Sequence, residues 1–81
     1  MSVSTISPDM TLDCSGLSCP MPVIKTSKAI KQLEIGQVLK VISTDSGSPP
    51  DMEAWSRQTG NELLDSHREE NKYIFFFRRS K

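Results

Sequence analysis

Apolar and polar residues alternate from Met10 to Cys14, with Met10, Leu12 and Cys14 on one face and Thr11 and Asp13 on the other. A period of two marks a short strand with one buried side. Ser15-Gly16 breaks it. From Val23 to Leu33 the spacing becomes helical: Val23, Ile24, Ser27, Ile30 and Leu33 form an inward stripe, with Lys25, Lys28 and Gln32 opposite. Gly36 ends that segment as a cap or turn residue. Val38 to Thr44 is dense in β-branched and aliphatic residues, which suits a largely buried central strand. Strand, helix and strand with short connections predict a right-handed βαβ unit.

Asp45 to Pro50 is a run of turn formers. Ser48-Pro49-Pro50-Asp51 has the spacing of a helix start, with Ser48 as the cap and Pro49 at the tolerant first position. Met52, Trp55 and Thr59 mark the inner face of a second helix, which Gly60 closes. Leu63 to His67 reads as a strand, Arg68 to Lys72 as a turn and Tyr73 to Arg79 as the last strand. The predicted order is β-α-β-α-β-β, an α+β fold with two helices on one face of a four-stranded mixed sheet. Met1 to Asp9, rich in Ser and Thr, is expected to be a flexible lead-in to a single domain over residues 10–81. In the last strand the alternation of Tyr73, Phe75 and Phe77 suits base stacking or a core face and reads as core, with Ile74, Phe76 and Arg78 alternating against it; at least one of the two faces is expected to be available to a partner.

Length and charge narrow the function. A chain of 81 residues makes one small domain, and its 10 basic and 10 acidic residues balance to zero. That balance speaks against nucleic-acid binding through bulk charge. No apolar stretch reaches the roughly 18 residues of a membrane span. The first ten residues lack the basic and apolar regions of a secretory signal, so the expected setting is reducing and cytoplasmic. Two cysteines and the lone His67 do not make a zinc site, and no metal or cofactor is expected. His67 reads as a solvent-facing strand residue.

The stretch Leu17-Ser18-Cys19-Pro20-Met21-Pro22 carries the chemistry. Pro20 disfavours a helical conformation at Cys19 and suits the first position of a helix itself, while Pro22 falls in the first turn, where its missing N–H costs little. Cys19 is thereby placed at the mouth of a helix, whose positive dipole end favours a thiolate. Gly16 allows a sharp turn from the preceding strand into this corner. Lys25, Lys28 and Lys31 form a stripe along the same helix, which reads equally as a docking surface or as a solvated face. Cys14, on the apolar side of its strand, reads as a packed thiol. Asp13 and Asp45, near two strand ends, are candidate loop organisers through hydrogen bonds to backbone.

Leu12-Asp13-Cys14-Ser15-Gly16-Leu17-Ser18-Cys19-Pro20-Met21-Pro22 resembles the L-D-x-x-G-L-x-C-P-x-P signature of the TusA/SirA-type sulfur carrier family. The resemblance extends over nearly all of the chain after residue 9. It implies a two-layer α/β sandwich of βαβαββ order, with Cys19 accepting a sulfane sulfur as a persulfide. A cysteine desulfurase or other sulfurtransferase is then the implied donor and a downstream protein the acceptor, in a relay serving tRNA thiolation, cofactor synthesis or sulfur oxidation. Such a protein is a carrier with a covalent intermediate rather than a turnover enzyme, and it needs no direct nucleic-acid contact. Ser15 stands where many members carry an arginine, Ser46 where a proline is common, and Cys14 is an extra thiol. Two other classes stay open: a thiol redox protein pairing Cys14 with Cys19, and a small RNA- or protein-interaction domain.

Overall fold

The structure, a computed structural model, describes residues 7–18 and 20–80. Its elements are β1 (Met10–Cys14), α1 (Met21–Ile30), β2 (Val38–Ser43), α2 (Ser48–Thr59), β3 (Glu62–Glu69) and β4 (Lys72–Arg78). They form one mixed sheet in the order β1-β2-β4-β3. β1 runs parallel to β2, and β4 pairs antiparallel with both β2 and β3. This is the α+β architecture that the residue pattern predicts.

One face of the sheet carries both helices. Leu39 and Val41 of β2 and Phe75 and Phe77 of β4 are all fully buried, and they pack with Ala29, Ile30 and Leu33 from the first helical segment and Met52 and Trp55 of α2. Trp55 meets Phe77 edge to face with ring centroids 4.9 Å apart. Its indole N–H donates to Ser27 Oγ at 2.6 Å, so one side chain joins the two helices and the sheet.

Several boundaries differ from the sequence reading, each for a local reason. α1 begins at Met21, with Pro20 as its cap residue and Pro22 in the first turn, and it ends at Ile30 rather than Leu33. Beyond Ile30, Gln32 and Leu33 bond back three residues, to Ala29 and Ile30, in a tightened last turn. The buried stripe is Pro22, Thr26, Ala29 and Ile30, whereas Ile24 is 41% exposed. Thr26 can face the core because its hydroxyl donates to the Pro22 carbonyl at 2.8 Å, leaving only its methyl to pack. Ser48 does not cap α2. It lies inside the helix after Gly47, and its buried Oγ is 2.6 Å from Ser43 Oγ.

Strand β3 continues to Glu69, so the expected turn over 68–72 shrinks to Glu70-Asn71, with Glu70 left-handed at φ 55°. Cross-strand partners explain the extension: Arg68 opposes Tyr73 and stacks over its ring at 5.7 Å, and Glu69 opposes Lys72. The alternate face of β4 is not open. Ile74 and Phe76 are 3% and 4% exposed, with the Lys40 ammonium over the Phe76 ring and His67 stacked on it. His67, expected in solvent, is half-buried there, held between Asp65 at 2.7 Å and Glu69 at 2.8 Å. Asp9, assigned to the lead-in, is tied to Val38 by two hydrogen bonds, backbone N–H to carbonyl and Val38 N–H to its own carboxylate.

Candidate functional site

The parallel pair β1–β2 ends with Cys14 opposite Ser43. Both strands then open into loops that lead directly to helix starts, at Met21 and at Ser48. One edge of the molecule therefore gathers two strand ends and two helix N-termini, which carry partial positive charge.

The loop after β1 has a partner for each of its first three N–H groups. Ser15 N–H donates to Asp13 Oδ1 at 2.9 Å, Gly16 N–H to Thr44 Oγ1 at 2.9 Å and Leu17 N–H to the Cys14 carbonyl at 3.1 Å. Gly16 sits at φ +83°, where a side chain would strain the backbone. The glycine thus turns the chain as the sequence suggests. Hydrogen bonds from Ser15 hold the Asp13 carboxyl below the ordinary aspartate value. Further on, Met21 N–H bonds the Ser18 carbonyl at 2.9 Å and Ile24 N–H the Pro20 carbonyl at 3.1 Å.

Cys19 lies outside the described residues. Its flanks, Ser18 and Pro20, are both exposed. The start of α1 beside them has no side-chain cap and no acidic residue in its first turn. No carboxylate of the helix itself therefore neutralises its positive end. Cys14 is described. It is completely buried, and burial pushes its thiol up from the ordinary value against a smaller opposing pull from the Lys25 charge.

Asp45 belongs to the second loop. It is half-buried, its N–H reaches Ser43 Oγ at 3.2 Å, and its carbonyl accepts from Ser48 N–H at 3.0 Å. Lys25, Lys28 and Lys31 are all exposed on the first helical segment. Met21 and Ile24, 40% and 41% exposed, share its outer side next to Pro20. A shallow cavity of about 250 Å³ opens on the other side of Pro20, between Val23 and the α2 residues Ala54 and Trp55. Among the described residues no three His, Cys, Asp or Glu side chains gather as metal ligands. No described helix is long and apolar enough to cross a membrane.

The motif residues Asp13, Gly16, Pro20 and Pro22 thus come together, with Asp45 on the neighbouring loop. Thr44 and the outer pair Met21 and Ile24 were not singled out by the sequence. Thr44 reads as the last residue of a strand, and nothing in its type announces a bond to a loop 28 positions away. Met21 and Ile24 do carry a faint signal, since their spacing of three aligns them along the helix.

The profile of the sulfurtransferase TusA family matches residues 10–79. A putative sulfur carrier protein of Aquifex aeolicus is 46% identical over 78 residues, which is 96% of this chain and 40% of that protein. The sulfur carrier protein TusA of Allochromatium vinosum is 46% identical over 72 residues, covering 89% of this chain and 95% of that one. In fold, the chain is similar to the crystal structure of a SirA-like protein from Desulfitobacterium hafniense, with a TM-score of 0.76 at 23% identity over 89% of this chain and 99% of that one. Loop, helix start and sequence agree: the chain belongs to the sulfurtransferase TusA family.

Proposed function

We propose that the chain is a sulfur carrier that takes up sulfane sulfur as a persulfide on Cys19 and passes it to an acceptor protein. The observation that carries the proposal is the start of α1. A helix end with no side-chain cap and no acid in its first turn stands beside the position of Cys19, between two exposed neighbours. Such a setting favours a thiolate over a thiol.

The chemistry is an exchange at divalent sulfur. The Cys19 thiolate attacks the outer sulfur of a donor persulfide. An S–S bond forms to Cys19, the donor's S–S bond breaks, and the donor cysteine leaves with the electron pair as a thiolate. The acceptor repeats the step on the loaded Cys19. No net oxidation occurs, and neither a metal nor a general base is required. Residues 10–81 act as the carrier domain, in the cytoplasm, with a cysteine desulfurase or another sulfurtransferase as donor. tRNA thiolation, cofactor synthesis and sulfur oxidation are the candidate destinations. Met21, Ile24, Lys25, Lys28 and Lys31 offer an apolar patch with a basic flank, suited to an acidic partner surface.

Burial of Cys14 speaks against the dithiol reading, because its sulfur is withdrawn and its neutral form favoured. Burial of Phe75 and Phe77 in the core speaks against base stacking by the aromatic row of β4. Intact-mass analysis after incubation with a cysteine desulfurase and cysteine tests the proposal. Wild type and Cys14→Ser should gain one sulfur atom that a reductant removes, and Cys19→Ser should gain none. Equal failure of both variants would transfer the case to the dithiol reading.

A further inference from the structure

We infer that Thr44 is a positioning residue for the Cys19 thiol, acting through the backbone of Gly16. The inference rests on Cys19 being the sulfur-bearing residue, and it assigns a role to a side chain outside the cysteine motif.

Three N–H groups hold the loop that leads from β1 toward Cys19. Two of them close on their own neighbourhood, Ser15 on Asp13 and Leu17 on the Cys14 carbonyl. These bonds shape the turn but travel with it. Gly16 N–H alone, among the described residues of this loop, reaches another part of the chain, and its acceptor is Thr44 Oγ1 at 2.9 Å.

The acceptor is well anchored. Thr44 directly follows Ser43, the last residue of a strand that is hydrogen-bonded on both sides, and Ser43 is completely buried with its Oγ bonded to Ser48 Oγ. The donor is not. Gly16 is exposed at φ +83°, and a Cβ built there would meet nothing within 4 Å, so no packing restrains it. A glycine without contacts has wide backbone freedom. Leu17, the next residue, packs against the core, so the turn has an apolar tie and a polar one, and the threonine hydroxyl is the polar tie, three residues before the cysteine. In sequence, Cys19 lies between this tied turn and Pro20, the cap residue of α1, so the bond bears on the segment that carries the cysteine.

The test uses Thr44→Val, which keeps the branched shape and removes the acceptor, and Thr44→Ser, which restores an oxygen. Thr44→Ala serves as a second loss of the acceptor, and a urea midpoint for each variant shows that it is folded. Three quantities are read on the full chain: amide exchange at Gly16, the pH midpoint of Cys19 alkylation by iodoacetamide, and the single-turnover rate of sulfur uptake from a persulfide donor. In Thr44→Val and Thr44→Ala, Gly16 should exchange faster, the alkylation midpoint should move up toward that of an ordinary thiol, and uptake should slow about two- to tenfold, the loss expected for one net hydrogen bond. Thr44→Ser should recover all three. Faster Gly16 exchange with an unchanged Cys19 alkylation profile would overturn the inference, since the bond would then serve only the fold. An unchanged Gly16 exchange rate would overturn it as well. The alkylation profile needs no sulfur chemistry, so it stands even if Cys19→Ser took up sulfur normally and the carrier reading itself fell.

Discussion

Trp55 holds two helices against the sheet, and the strength of that hold can be worked out before it is measured. Its N–H donates to Ser27 Oγ at 2.6 Å, and its ring meets Phe77 at 4.9 Å. Trp55→Phe keeps an aromatic ring and removes the N–H. The lost bond costs about 1 kcal/mol net. The missing ring atoms uncover about 40 Å² of apolar contact, worth about 1 kcal/mol more. A total near 2 kcal/mol should lower the melting temperature by roughly 8–16 °C in a domain of this size. Ser27→Ala breaks the same bond from the other side and leaves the indole N–H without a partner at a side chain only 6% exposed. It should cost about 1–2 kcal/mol, after a gain of about 0.5 kcal/mol from the better helix former. Urea unfolding followed by far-ultraviolet circular dichroism gives each value, since Trp55 is the only tryptophan and its fluorescence is lost in one variant. The double mutant should be less destabilised than the sum by about 1 kcal/mol. Additivity within about 0.4 kcal/mol would show that the bond contributes nothing.

Two further perturbations have a defined sign. Gly16→Ala should destabilise by about 1–2 kcal/mol purely through its left-handed backbone, because no atom lies in the way of the new methyl; a neutral or stabilising result in urea unfolding would contradict the turn geometry. Glu69 first, and then Asp65, hold the His67 imidazolium by hydrogen bonds, which raises its pKa above the ordinary 6.5 against an opposing effect of burial. Its contribution to stability is therefore complete below the ordinary value and lost as pH rises through the raised one. Wild-type stability should therefore fall as pH rises above the ordinary histidine value, and His67→Gln should remove that fall from the urea midpoints. An identical slope in the two proteins would refute the arrangement.

The legible parts of the fold were those where polarity and position agree. Met10 to Cys14 alternates cleanly and forms the strand it announces, and Gly60 ends α2 at φ 80° as a helix-closing glycine should. The errors fall where a polar residue is satisfied out of sight. Thr26 hides its hydroxyl on the Pro22 carbonyl and Ser48 hides its own on Ser43, so the first shifts the helix stripe and the second vacates the cap. Charged residues misled in the same way at β3, where Arg68 and Glu69 stay in the strand because their partners lie across it. Around the candidate site, the backbone roles of Gly16, Pro20 and Pro22 could be read from the sequence because each constrains its own backbone. Thr44 was illegible for the converse reason: its contribution depends on a loop brought beside it by parallel pairing.

The most direct test of the account is to locate the sulfur on the wild-type chain. After one turnover with a persulfide donor, the protein is alkylated under denaturing conditions, digested and read by tandem mass spectrometry. The peptide containing Cys19 should carry one additional sulfur beneath the alkyl group, and Cys14 should carry the alkyl group alone. Sulfur on Cys14, or a Cys14–Cys19 cross-link two hydrogens lighter, would contradict it.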